Sequence, residues 1–274
     1  MTGDVLGWLR ELARLVVPVV CAGCGVPDEL CCPRCAALLD GAPRRVETAA
    51  PRLDRLDGVP PLPVWALVDY TGAVRHLVVA WKDRGRLDLD RLLAGRLRRA
   101  AATVASSVGS VAASSGTVTG RVPGRPPPVL VVPAPSTAAA RRVRGREPVR
   151  VLAQAVARGL TDAGVPAVVA PVLRRRGRAR DQVGLGSRAR GRNLAASVAV
   201  RSRALERTPR GVCLLVDDVL TTGATVAAAE RALDAAGAEV VGALVVAATP
   251  PPDTRRLAMR PTSLTLCTDP TRWG

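Results

Sequence analysis

The sequence contains no phenylalanine, one tyrosine and four tryptophans, so aromatic residues make up only 2% of it. That scarcity excludes a core organised around packed rings. Val, Leu and Ala, within a hydrophobic fraction of 48%, must fill the interior instead. It also excludes a nucleic-acid surface that reads bases by ring stacking. Lysine and histidine are almost missing: Lys82 and His76 are each the single example. No apolar run is long enough to cross a bilayer. The first twenty residues have the length of a signal peptide, but Asp4, Arg10, Glu11 and Arg14 interrupt them and the apolar stretch 15–20 is too short. They read as an amphipathic helix with Trp8, Leu9, Leu12, Leu15 and Val16 on one side. The expected location is therefore the cytoplasm, where cysteines are reduced or metal-bound.

What is abundant is arginine. The formal charge is +17, from 40 basic and 23 acidic residues. Arg, Ala, Gly, Pro and Val are enriched together, as GC-rich coding would produce; a polyanionic partner is the other reading. The total cannot separate the two, so weight falls on where the arginines cluster. The length of 274 residues allows one α/β domain and a small accessory module.

Five of the seven cysteines lie between Cys21 and Cys35. Cys21-Ala22-Gly23-Cys24 and Cys32-Pro33-Arg34-Cys35 form two knuckles suited to a tetrahedral structural Zn²⁺ held by Cys21, Cys24, Cys32 and Cys35. Cys31 is an alternative to Cys32. A redox dithiol or disulfide pair is the competing reading, disfavoured by the lack of a thioredoxin-like context or an export signal. The expected organisation is an amphipathic helix and zinc module over 1–40, a linker over 41–63, the main domain over 64–249 and a tail over 250–274. Within the main domain, 101–128 reads as a flexible insertion whose first part could prolong the preceding helix.

From residue 64 the chain alternates short apolar strands with helices. Strands are expected at 64–68, 129–132, 167–173, 212–216 and 240–248, and helices at 74–81, 87–100, 149–160 and 225–236. Strands apolar throughout, separated by helices, indicate an α/β fold with a parallel sheet covered on both faces.

The most informative stretch follows the strand at 212–216: Asp217-Asp218-Val219-Leu220-Thr221-Thr222-Gly223-Ala224-Thr225. A buried strand ends in two acids, and a loop of Thr, Thr, Gly and Ala leads directly into a helix. Ligands of open α/β sheets sit beyond the carboxyl ends of strands. A helix N-terminus presents unpaired N–H groups and partial positive charge to a phosphate. Gly223 permits close backbone approach, and the threonines add hydroxyls. The acids cannot serve a phosphate, but they can accept hydrogen bonds from vicinal sugar hydroxyls.

This segment resembles the phosphoribosyl pyrophosphate motif of type I phosphoribosyltransferases. The resemblance implies that Asp217 and Asp218 hold the ribose 2′ and 3′ hydroxyls, and that Thr221, Thr222, Gly223, Ala224 and Thr225 hold the 5-phosphate. It implies Mg²⁺ as the companion of phosphoribosyl pyrophosphate. Ser136, Arg141 and Arg144, beyond the strand at 129–132, become candidates for the pyrophosphate side. The whole order, four cysteines followed by such a domain, is similar to the ComF family of competence-associated proteins. Tyr70-Thr71-Gly72, Lys82, Gly85, Asp181-Gln182 and Arg190 to Asn193 carry that likeness further. The chain departs from it at Arg144-Gly145-Arg146-Glu147-Pro148, where the family usually shows an Arg-Gly-Phe-Asn-Gln-like run. Lys82 occupies the family's matching position and is the catalytic candidate beside Asp217 and Asp218; His76 reads as a neutral surface or partly buried histidine. The family likeness implies handling of single-stranded DNA in natural transformation, with competence proteins as partners. The eight arginines between 174 and 193 would track a backbone or cover a phosphorylated substrate. Two other readings stand beside it: a working transferase that moves 5-phosphoribose to a base or amine, and an assembly module with a vestigial sugar-phosphate site.

Overall fold

The computed structural model describes residues 19–115, 127–136, 142, 145–176 and 198–251. After the cysteine block come the short helix α1 (Pro33–Ala37), strands β1 (Arg44–Arg45) and β2 (Val64–Asp69), and helices α2 (Gly72–Asp83) and α3 (Leu89–Ser114). Next are β3 (Val129–Pro133), α4 (Pro148–Asp162), β4 (Ala167–Val169), β5 (Leu173–Arg175), β6 (Val198–Val200) and α5 (Ser202–Glu206). The described chain closes with β7 (Cys213–Leu220), α6 (Ala224–Asp234) and β8 (Val240–Ala248).

Six strands form one sheet in the order β1-β2-β8-β7-β3-β4. All its pairings are parallel except β1 on β2. Because successive side chains of a strand point to opposite faces, the apolar strands feed two cores. Val129, Val131, Leu214, Val216, Leu244 and Val246 pack with α2, α3, α4 and the cysteine module on one face. Leu130, Val132, Cys213, Leu215, Ala243 and Val245 pack with α6 and residues 46–62 on the other. The fold is the expected α/β arrangement of a mostly parallel sheet flanked by helices, preceded by a four-cysteine cluster.

Several local expectations change. The stretch 41–63, expected as a linker with little core of its own, buries Val46, Ala50, Leu53 and Leu62, and its Glu47 accepts hydrogen bonds from the Val64 amide (3.1 Å) and Arg45 (3.0 Å). Helix α3 runs to Ser114, so the first part of the expected insertion is helix, burying Ala101, Val104, Ala105, Val108 and Ala112. Its contact with α4 is close because Gly159 sits against the Arg98 carbonyl, where an added Cβ would lie 2.1 Å from the oxygen. The single strand expected at 167–173 is two: β4 joins the main sheet, and β5 leaves it to pair antiparallel with β6. Strand β7 does not stop at Val216 but continues through both acids, with Asp217 opposite Val245.

Candidate functional site

The four cysteines Cys21, Cys24, Cys32 and Cys35 bring their Sγ atoms within 4.8 Å of one another. At a Zn–S distance of about 2.3 Å a tetrahedral site has S···S edges of roughly 3.8 Å, and Cys24 and Cys32 stand at 3.6 Å. The donor set therefore fits Zn²⁺. Cys31 is outside the cluster; its thiol turns to the Cys32 carbonyl at 3.9 Å. Burial works to raise the Cys21 thiol, but the backbone amides of Cys24, Cys32 and Gly23 outweigh it and bring it down to about 6. The Cys32 amide donates to Cys21 Sγ at 3.3 Å. Burial, then the nearby thiols of Cys21 and Cys32, push Cys31 up to about 11. Geometry separates the four from the fifth.

The module is fastened to the domain. Gly23 faces Cys35 and Leu77 so closely that an added Cβ would meet Cys35 Sγ at 2.8 Å. The Gly23 carbonyl lies 2.9 Å from His76 Nδ1, and Arg86 donates to the Leu30 carbonyl at 2.8 Å. Arg96 and Arg99 both bond Asp40. His76 thus holds the cysteine module onto α2, away from the acids.

The second site lies at the carboxyl end of β7. Asp217 Oδ1 accepts the Asp218 amide at 2.8 Å, and Asp218 Oδ1 accepts the Val219 amide at 3.0 Å. Asp218 shares the strand face of Leu214 and Val216 and is 2% exposed. On that face the end of α2 brings Lys82 Nζ to 2.5 Å from Asp218 Oδ2. The contact is an ion pair between the ammonium and the carboxylate. Burial disfavours the Lys82 ammonium, but the carboxylates of Asp218 and Asp217 outweigh it and raise its pKa. Burial and then the Asp218 charge push the Asp217 carboxyl well above its ordinary value, with Lys82 opposing.

Beyond the acids, Thr221 and Thr222 are exposed and Gly223 is buried at φ +79°. Gly223 is the N-cap of α6 and brings no capping side chain of its own. The first-turn amides of α6 can therefore meet an anion. Thr222 Oγ1 lies 3.4 Å from the Ala224 amide, and its carbonyl accepts the Arg52 amide at 3.0 Å. Leu53 and Ala50 press against Gly223 from below.

Arg175 stands in the sequence only as one of the eight clustered arginines. It donates to the Pro135 carbonyl at 3.2 Å and reaches Thr225 Oγ1 at 3.5 Å, placing a cation between the end of β3 and the loop. The run of adjacent arginines around it gives no signal that marks this one. Ser136 lines a cavity with Pro133, Glu147, Arg150, Leu173 and Arg201. Arg141 and Arg144 lie outside the described residues, as do Asp181, Gln182 and the segment Arg190 to Asn193.

Residues 150–267 match the model of the phosphoribosyl transferase domain. The matched stretch includes β7, the acids, the loop and α6, and the sheet extends N-terminally of it through β2 and β3. No curated protein matches the chain. Among the described residues no helix is long and apolar enough to cross a membrane.

Proposed function

We propose that this phosphoribosyltransferase-domain protein binds phosphoribosyl pyrophosphate at the end of β7. The observation that carries the reading is one strand end with two complementary halves: two carboxylates, then a helix N-terminus whose N-cap glycine brings no capping side chain. Asp217 and Asp218 accept hydrogen bonds from the ribose hydroxyls. Thr221 to Thr225 enclose the 5-phosphate, with Arg175 beside Thr225. Lys82 already supplies the cation next to Asp218, so Mg²⁺ fits as an ion carried on the pyrophosphate, where it would neutralise the leaving charge. Zn²⁺ at Cys21, Cys24, Cys32 and Cys35 is a structural ion in this reading. Calorimetric titration of Mg²⁺–phosphoribosyl pyrophosphate into zinc-loaded protein tests it. Binding abolished by Asp217→Ala with Asp218→Ala supports the site; no binding by folded wild type overturns it.

Transfer to a base or amine acceptor is the second reading, favoured by the acid pair itself. Attack at C1 breaks the bond to pyrophosphate, and the acids' charge stabilises an oxocarbenium-like ribose without any nucleophilic side chain. Pyrophosphate release with some acceptor is the expected result, and none across a broad screen counts against it. The ComF-like role on single-stranded DNA rests on Arg174 and Arg176, exposed at β5. It requires binding that weakens steeply with salt.

A further inference from the structure

We propose that Arg146, held by Asp90, is the positioning residue that sets Lys82 against Asp218. The inference rests for its purpose on the reading of Lys82 as part of the phosphoribosyl site, but not for its test.

Helix α2 ends at Asp83, and the carbonyls of its last turn lack intrahelical partners. The Ala80 carbonyl takes the amides of Arg84 and Arg86, both at 3.2 Å. The Trp81 carbonyl takes Arg146 Nη2 at 2.8 Å. That carbonyl belongs to the peptide unit that leads into Lys82, so Arg146 grips the backbone immediately before the lysine. A cation there also suits the negative end of the helix.

Arg146 is itself fixed from two sides. Its Nη1 lies 2.9 Å from both carboxylate oxygens of Asp90, in the first turn of α3. Its guanidinium stands 5.7 Å over the Trp81 ring. Trp81, fully buried, donates its indole N–H to Asp90 Oδ1 at 2.6 Å, closing the triangle. Three segments therefore meet at one guanidinium: the end of α2, the start of α3 and the loop leading from β3 into α4. A lysine in place of Arg146 would carry the charge but not the planar fork that serves Asp90 and the carbonyl together.

The single lysine makes the test direct. Reductive ¹³C-methylation of the zinc-loaded, ligand-free protein gives one side-chain signal besides that of the N-terminus. Its pH titration is compared in wild type, Asp218→Asn as the unpaired reference, Arg146→Met and Arg146→Gln. The sign discriminates. Deleting a nearby cation from an unmoved site would raise the Lys82 pKa further, whereas releasing Lys82 from Asp218 lowers it. The expected result is a Lys82 signal and pKa displaced toward the Asp218→Asn values in Arg146→Met, and less so in Arg146→Gln, which can still donate to the Trp81 carbonyl. A Lys82 pKa at or above wild type in either folded variant overturns the proposal. So does loss of the fold in both, which would make Arg146 a purely structural residue. Since no ligand is present, failure of the phosphoribosyl reading leaves this outcome untouched, and the reverse also holds.

Discussion

Replacing Gly223 by Ala perturbs the phosphate loop in two separable ways. The residue sits at φ +79°, where an L side chain is strained; that conformation costs roughly 1–2 kcal/mol for a non-glycine residue. The new Cβ would also stand 2.8 Å from Leu53 Cγ and 3.1 Å from Ala50 Cβ. Crowding of a packed core by one methyl costs about 1–3 kcal/mol. The sum, about 2–5 kcal/mol, is a large share of the ~5–15 kcal/mol typical of a whole domain. Urea unfolding of wild type, Gly223→Ala, Leu53→Ala and the double variant measures both parts. Leu53 is 1% exposed, so its truncation alone should cost about 2–5 kcal/mol. In that background the clash with Leu53 is gone, so the cost of Gly223→Ala should fall toward the roughly 1–2 kcal/mol of backbone strain, with only the Ala50 contact added to it. An equal cost of Gly223→Ala in both backgrounds would refute the claim that residues 50–53 brace the loop. A cost below about 0.5 kcal/mol in wild type would refute the strain argument as well.

Cys32→Ser should abolish stoichiometric zinc while Cys31→Ser leaves one ion per chain, as read by elemental analysis after gel filtration; the reverse pattern would reassign the ligand. Asp217→Asn should raise the thermal stability of the ligand-free protein while removing phosphoribosyl pyrophosphate binding. The sign follows from the raised native pKa of Asp217: its stabilising contribution is complete below the unfolded carboxyl pKa and is lost as pH rises through the native one. At neutral pH the charge is therefore a burden that Asn lifts, and a lower melting temperature near neutrality would contradict this. Arg175→Met should weaken binding of the ligand roughly 10- to 100-fold, the range of one hydrogen bond to a charged group, in a titration at fixed salt; unchanged affinity would remove Arg175 from the site.

The parts of the fold legible in the sequence are those where hydrophobic period and breaker agree. Strand β8 occupies the span expected for it, because an apolar run is bounded by Gly237 behind and Pro250 ahead. Helix α3 was underestimated because its second half uses Ala, Ser and Gly. Yet Ala101, Val104, Ala105, Val108 and Ala112 keep helical spacing, and the small side chains serve close packing on α4. The stretch 41–63 could not be read as core at all. Val46, Ala50 and Leu53 keep i, i+4, i+7 spacing, but Pro51 breaks the run and Leu62 stands apart, and what buries them is the loop and strands they meet from far along the chain.

The site divides in the same way. Its phosphate half is local: strand, acids, loop and helix N-terminus are contiguous, so their chemistry is visible in a dozen residues. The acids look like the end of a strand because charge usually marks one. β7 continues through them, since β8 beside it supplies backbone partners as far as Ala248. That continuation gives Asp217 and Asp218 opposite strand faces, and hence opposite surroundings. Asp218 is on the face covered by α2 and pairs directly with Lys82, while for Asp217 burial and the Asp218 charge outweigh the relief from Lys82 and the Asp218 amide. Two identical neighbours in the sequence thus become a charge-paired acid and a strained one. The difference comes from residues 135 and 136 positions away at Lys82, which only the packing of α2 on the sheet brings into contact. A binding site that must seize a sugar with donors and release it again benefits from such asymmetry: one carboxylate is held in place by its cation, and the other gains most when ligand hydroxyls arrive.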